Sequence, residues 1–230
     1  MPVWLDTLCD ILELVAYWAM VIPIAIAYYN RHWLVGGLRA LRFVPLFLLG
    51  MYCCLQVAIR LWAYGLPLNH VNTVGETLLY LKVYHDEFTS TVIKRRIRVA
   101  GVVFLCFACV DSFWLEGFHQ INAYTNLVES VLIITLALLY FEVHIVRSQK
   151  IAALQKPMFI ASIGIILYLV GTVVLYLITN YLINKNDGEN TQLVYSSSSV
   201  LLCIMAILFS RSFWLARQTT PSGELGVAGS

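Results

Sequence analysis

Seven apolar runs follow one another along the 230-residue chain, with approximate limits 9–29, 43–64, 69–88, 97–117, 121–145, 157–182 and 191–213. Each is close to or above the roughly 20 residues a helix needs to cross a ~30 Å hydrocarbon layer. Backbone groups have no water partner there, so only helices or closed barrels are allowed. The runs are too long for barrel strands and lack strict polar–apolar alternation. The predicted fold is therefore all-α, a polytopic bundle of seven transmembrane helices forming one domain over 1–217. Residues 218–230 read as a short disordered tail. Hydrophobic residues make up 60% of the chain and charged residues 12%, about half the usual soluble share. That leaves too little polar surface for a water-soluble domain. The lipid bilayer is the first partner. A net charge of +2 gives no reason to expect nucleic acid.

The basic residues between the runs set an orientation. Arg31, Arg39 and Arg42 follow the first run. Lys94, Arg95, Arg96 and Arg98 precede the fourth, Arg147, Lys150 and Lys156 follow the fifth, and Arg211 and Arg217 close the seventh. The alternate connections hold one clear cation, Lys185. Basic loops stay cytoplasmic, so the N-terminus is expected outside and the C-terminus inside. The acidic N-terminal flank, with Asp6, Asp10 and Glu13, is unlike a cleaved signal peptide. No soluble domain is expected on either side. Pro23 should kink helix one, and Pro157 suits the start of helix six.

Within the spans, polar residues gather toward the outer end. Helix one offers Asp10 and Glu13, helix two Gln56 and Arg60, helix three Asn72 and Glu76, helix four Asp111, and helix five Asn126 and Glu129. Helices six and seven add Thr172, Tyr176, Thr179, Tyr195 and Ser196 to Ser199. Asn72, Glu76 and Tyr80 recur every four residues and so share a helix face. Asn72-x-x-x-Glu76 resembles Asn126-x-x-Glu129, a likeness that either a parallel repeat or coincidence would produce. Five acids face one arginine, and each charge at the bilayer centre costs roughly 3 kcal/mol or more. Protonated carboxyls, an outward-facing water-filled cavity or a bound cation would each resolve the imbalance. The candidate ligand-binding set is Glu13, Arg60, Asn72, Glu76, Asp111, Asn126 and Glu129, with Glu76 first and Arg60 as balancing charge, paired with Glu76. Structural readings stand beside it: Asp10 at the water interface, Asn126 and Glu129 as helix-start residues, and the serines as small packing groups. On the inner side Lys82 and Asp86, four apart, should pair.

Several chemistries are missing. The seventh run has no lysine for a retinal Schiff base, so no cofactor is expected. No zinc motif appears, and no metal is assigned. His70 and His119 fall in outer loops. Cys106-x-x-Cys109 has redox spacing but lies mid-helix, where small buried packing residues are the expectation, and no disulfide framework is predicted.

The phrases Val21-Ile22-Pro23-Ile24-Ala25-Ile26-Ala27-Tyr28-Tyr29 and Asn72-Thr73-Val74-Gly75-Glu76-Thr77-Leu78-Leu79-Tyr80 resemble a group of seven-helix integral membrane proteins of Bacteroidota-type bacteria. That group brings no established activity. The size and topology are also similar to microbial rhodopsins, without their lysine. The leading functional expectation is a receptor- or sensor-like binding protein whose outward acidic pocket takes a small cation, ion or lipid headgroup. A cytoplasmic or membrane partner would contact Lys94, Arg95, Arg96 and Arg98. Alternatives are an intramembrane hydrolase of lipid or amide, using paired carboxylates or a metal, and a proton- or cation-coupled transporter.

Overall fold

The computed structural model describes residues 3–62, 65–117, 122–146, 153–184 and 188–219. Among these the chain is helical, with no strand. The long elements are α1 (Val3–Ala19), α2 (Val21–Tyr29), α3 (Gly37–Leu41), α4 (Phe43–Trp62), α5 (Leu66–Glu87), α6 (Thr91–Val110), α7 (Ala123–Phe141), α8 (Pro157–Asn184) and α9 (Gly188–Thr219). Two short π-helical segments, Asp111–Leu115 and Glu142–Val146, extend α6 and α7.

Proline marks the joint between α1 and α2. Pro23 has no N–H to give the carbonyl four residues back, so the ladder breaks there. The chain recovers with Met20 N–H bonding the Tyr17 carbonyl at 3.1 Å and Ile24 N–H bonding that of Met20 at 3.2 Å. Pro157 opens α8 as its first residue, where an N–H would be unsatisfied in any case. Gly36, at φ 56°, turns the chain into α3, and the Gly37 N–H then bonds Glu87 Oε2 at 3.0 Å. A Cβ on Gly37 would lie 2.6 Å from the Val83 carbonyl, so glycine is required for α3 to seat on α5.

Among the described residues, six helical stretches are long and apolar enough to cross a membrane: Thr7–Tyr29, Gly37–Leu61, Thr91–Leu115, Ala123–His144, Pro157–Leu175 and Ser196–Gln218. Their outward faces carry large apolar side chains, among them Trp18, Leu46, Val102, Leu138 and Ile207. So much exposed apolar surface suits lipid and not water, and the chain has the build of an integral membrane protein. The seventh expected span, α5, has the length but carries Glu76, Lys82, Asp86 and Glu87 and is too polar to belong to that set. It occupies a central place nonetheless, packed on α3, α4, α6 and α7, while α9 packs on α1, α2 and α8.

One end of the bundle gathers Arg31, Arg39, Arg42, Lys94 to Arg98 and Arg217; the other holds Asp111, Glu116 and the start of α7. These are the basic and acidic ends below. The core is densest toward the basic end, where Tyr84, Phe88, Tyr140, Phe209 and Phe213 are fully buried. Lys82 bonds Asp86 at 2.7 Å, as the four-residue spacing predicts.

Three expectations need correction. Cys106 and Cys109 are exposed on the outside of α6, not buried as packing residues, and all six cysteines are free. Their face is the one α6 turns away from α5 and α7, where a small side chain fills no gap. His70 is not in a loop but buried within α5. Gln218 and Thr219 continue α9, so the tail expected from 218 is helical at its start. The rest of that tail, His119, Arg147, Lys150, Lys185 and Asn186 lie outside the described residues.

Candidate functional site

The site is built on the buried face of α5. Thr73, Glu76, Thr77 and Tyr80 fall three or four apart and all point into the bundle, as helical periodicity requires. Each hydroxyl has a use. Thr73 bonds the Asn69 carbonyl at 3.1 Å and Thr77 the Thr73 carbonyl at 2.7 Å. Tyr80 Oη donates to Glu76 Oε1 at 2.9 Å and lies 3.7 Å from Met205 Sδ on α9. Asn122, just before α7, donates to Thr73 Oγ1 at 2.7 Å. Glu129 is buried on α7, which packs against α5. Glu76 and Glu129 are 4% and 2% exposed, and Glu129 Oε1 has no hydrogen-bond partner among the described residues. Two acids buried on packed helices need a proton or a cation to balance them.

A second acidic group stands where α6 ends. The π-helical turn at Asp111–Leu115 inserts an extra residue and lets the Asp111 carbonyl accept from Glu116 N–H and Gly117 N–H, at 3.1 and 3.2 Å. Such turns redirect side chains at a helix end. Here Asp111 points inward, 0% exposed, and accepts a 2.5 Å bond from Thr125 Oγ1 on α7. Its other oxygen, Oδ1, has no partner among the described residues. Ser112 and His70 meet at 3.1 Å. Glu116, just past the span, accepts from Tyr124 N–H at 3.2 Å at the start of α7. Its carboxyl is pushed up to about 7. Burial is the main cause; the Tyr124 N–H opposes it, and the neighbouring Asp111 adds to it.

The third feature is a cavity of ≈ 140 Å³ between α1, α4, α5, α8 and α9. Glu13 and Tyr17 line it from α1, Tyr168 and Thr172 from α8, and Ser198 and Ser199 from α9. Asn69 of α5 supplies an amide, and Leu55 and Leu202 supply apolar wall. Tyr17 is held by Tyr52 of α4, stacked at 4.1 Å between ring centroids and 10° between planes. The lining has one carboxylate and no basic group. A cavity near 150 Å³ holds a molecule of about benzene size. One anionic oxygen pair, two phenol rings and several hydroxyls suit a small cation, since aromatic faces attract cations.

The expected set is thus brought together only in part. Glu13 lines the cavity, Glu76 and Glu129 are buried on the packed helices α5 and α7, and Asp111 neighbours Glu116. Asn126 bonds back to the Asn122 carbonyl at 2.8 Å, a local helix-start contact, and Asn72 is half-buried beside the core face. Arg60 does not balance Glu76. It is exposed on the outside of α4, and no ion pair joins the two among the described residues. A helix of 3.6 residues per turn puts Arg60 on the face opposite the buried Ala58, so shared depth did not mean a shared face. Asn69, Tyr17 and Tyr168 were not anticipated as lining residues. A signal for Tyr17 existed: Glu13-x-x-x-Tyr17 repeats the spacing of Glu76-x-x-x-Tyr80, which forms a hydrogen bond.

No family model, no curated protein and no solved structure matches the chain.

Proposed function

We propose that this protein is a seven-helix receptor- or sensor-like membrane protein whose cavity binds a small cation such as an amine. The observation that carries the reading is the cavity lining: Glu13 set among Tyr17, Tyr168, Thr172, Ser198 and Ser199, without a basic side chain. In this reading α5 is the seventh span. α4 ends at Trp62 and α5 begins at Leu66; α5 ends at Glu87 and α6 begins at Thr91. Connections that short make α5 return through the same layer as its neighbours. The basic end then faces the cytoplasm of a bacterial inner membrane and the cavity lies toward the outside. Signal would leave through a separate partner at Lys94, Arg95, Arg96 and Arg98.

The test is thermal unfolding of the purified chain with choline, tetramethylammonium, putrescine and sodium. At least one probe should raise the Tm of wild type and have no effect on Glu13→Gln, because ligand stabilisation follows RT ln(1 + [L]/Kd). No shift with any probe, or an equal shift in the variant, would overturn the reading. A second reading, a proton- or cation-coupled transporter, is favoured by one observation, the burial of Glu76 and Glu129 with no ion pair to either among the described residues. It predicts that proteoliposomes show probe uptake driven by a pH gradient and abolished by Glu129→Gln.

A further inference from the structure

The outer face of α6 carries two grooves that the cavity reading does not use. One, of ≈ 360 Å³, runs between α5 and α6 over Leu78, Leu81, Gly101 and Leu105. The other, of ≈ 380 Å³, is lined by Arg95, Val99 and Val103. Arg98 and Val102 border both. Being four residues apart they form a single ridge, with one groove on each side of it. The first groove exists because residue 101 is glycine: a Cβ there would stand 3.2 Å from Leu81 Cδ1 and fill its floor.

Chemistry changes sharply along this ridge. Arg95 and Arg98 are exposed at the basic end. Lys82 and His85 stand at the same mouth, but both contact Asp86, at 2.7 and 3.3 Å, so the uncompensated charge belongs to the arginines. Beyond them the surface is apolar, with Val99 57%, Val102 62% and Val103 62% exposed. Arg98 to Leu105 spans about 10 Å at ~1.5 Å per residue, the upper part of an acyl chain. A partner helix would need acids of its own opposite Arg95 and Arg98. A phospholipid brings a phosphate, and two chains to straddle one ridge.

We infer that the Arg98–Val102 ridge of α6 is a binding site for a diacyl anionic phospholipid. Arg95 and Arg98 hold the phosphate, for which the guanidinium fork is suited, and one acyl chain lies in each groove. Basic pockets between membrane helices recognise such headgroups. The site is separate from the cation cavity and would stand if that reading failed.

Delipidated chain in neutral detergent would be titrated with dioleoylphosphatidylglycerol, dioleoylphosphatidylcholine and glycerol 3-phosphate, followed by native mass spectrometry. Phosphatidylglycerol should be retained in preference to phosphatidylcholine, and glycerol 3-phosphate should not compete. Arg95→Gln with Arg98→Gln should weaken retention about thirty-fold, at roughly five-fold per basic residue. Val102→Trp fills both grooves without changing charge and should weaken it as well. Arg39→Gln removes one exposed charge from the same end, away from the grooves, and should leave it unchanged. Variants are compared only where their monodispersity matches wild type, and Arg98→Lys, the mildest change, should retain part of the affinity. Equal retention of both lipids, unaltered binding in the double variant, or an equal loss in Arg39→Gln would overturn the inference. So would a wild-type dimer that Val102→Trp alone dissociates, since a second copy would then occupy the ridge.

Discussion

The two ends of the bundle solve the burial of polar groups differently. At the basic end three cross-helix bonds join neutral groups, although Asn30 Oδ1, Arg42 Nε and His144 Nδ1 have no hydrogen-bond partner among the described residues. Tyr84 Oη donates to Ser162 Oγ at 3.2 Å, Asn30 Nδ2 to the Phe213 carbonyl at 3.3 Å, and Ser212 Oγ to the Pro157 carbonyl at 2.8 Å. These bonds tie α5 to α8, α2 to α9 and α9 to the start of α8, around the buried rings of Phe209 and Phe213. Toward the acidic end the buried groups are the carboxyls of Glu76, Asp111 and Glu129, and Asp111 Oδ1 and Glu129 Oε1 have no hydrogen-bond partner among the described residues. An unmet buried polar atom costs about 1–3 kcal/mol at either end, and more where the group is a carboxyl that can carry charge. The basic end is scaffold; the acidic half holds the groups whose cost argues for a task.

The largest expected effect breaks the scaffold and spares the site. Phe209 is fully buried, with its ring 6.3 Å from that of Phe213. Phe209→Ala should cost about 3–5 kcal/mol through lost burial and an unfilled cavity. Denaturation in detergent would report it. The Tm rise given by a cationic probe should persist in the variant at temperatures where it is folded. If that rise disappears with the scaffold intact, the two ends are not separable.

A middle-sized effect of opposite sign is expected at Glu129. Glu129→Gln keeps shape and hydrogen-bonding capacity but removes one of two buried acids. It should stabilise the protein by about 1–2 kcal/mol at neutral pH, because a buried acid must either carry an unbalanced charge or take up a proton on folding, and glutamine does neither. The comparison between ends sharpens if the gain is confined to Glu129. It fails if Ser162→Ala at the basic end stabilises equally.

Much of this architecture was legible in the chain. Six spans follow directly from apolar length, and Pro23 and Pro157 mark a break and a start because a missing N–H acts locally whatever surrounds it. Depth could also be read, since the order of runs places Glu13, Asp111 and Glu129 toward one end. Azimuth could not. A span buried among other helices and wrapped in lipid is apolar on both faces, so periodicity does not separate them, and Arg60 and Cys106 were assigned to the wrong side. Nor could one vestibule be told from three groups. That division depends on the π-helical turn after Val110 and on Tyr17 stacking against Tyr52, both consequences of tertiary packing.

The smallest expected effect concerns Glu116, where the acidic end meets water. Burial pushes its carboxyl up to about 7 in the folded protein, against about 4.3 for a free glutamate. Below pH 4 both states carry the proton and the group contributes nothing. Between about 4.5 and 7 the unfolded chain releases its proton while the folded one keeps it, so the unfolded state binds fewer protons and stability falls as pH rises. Above about 7 both states are ionised and the loss levels off. Solvent near the helix end weakens the effect, and about 1 kcal/mol is expected between pH 5 and pH 8. Glu116→Gln removes that titration while keeping an acceptor for Tyr124 N–H. Its unfolding free energy should therefore fall less than wild type between those pH values, the difference growing only above pH 5. An identical pH profile in the two proteins would show that Glu116 is solvated and ordinary. The acidic end would then carry one buried acid, Asp111, in place of a pair.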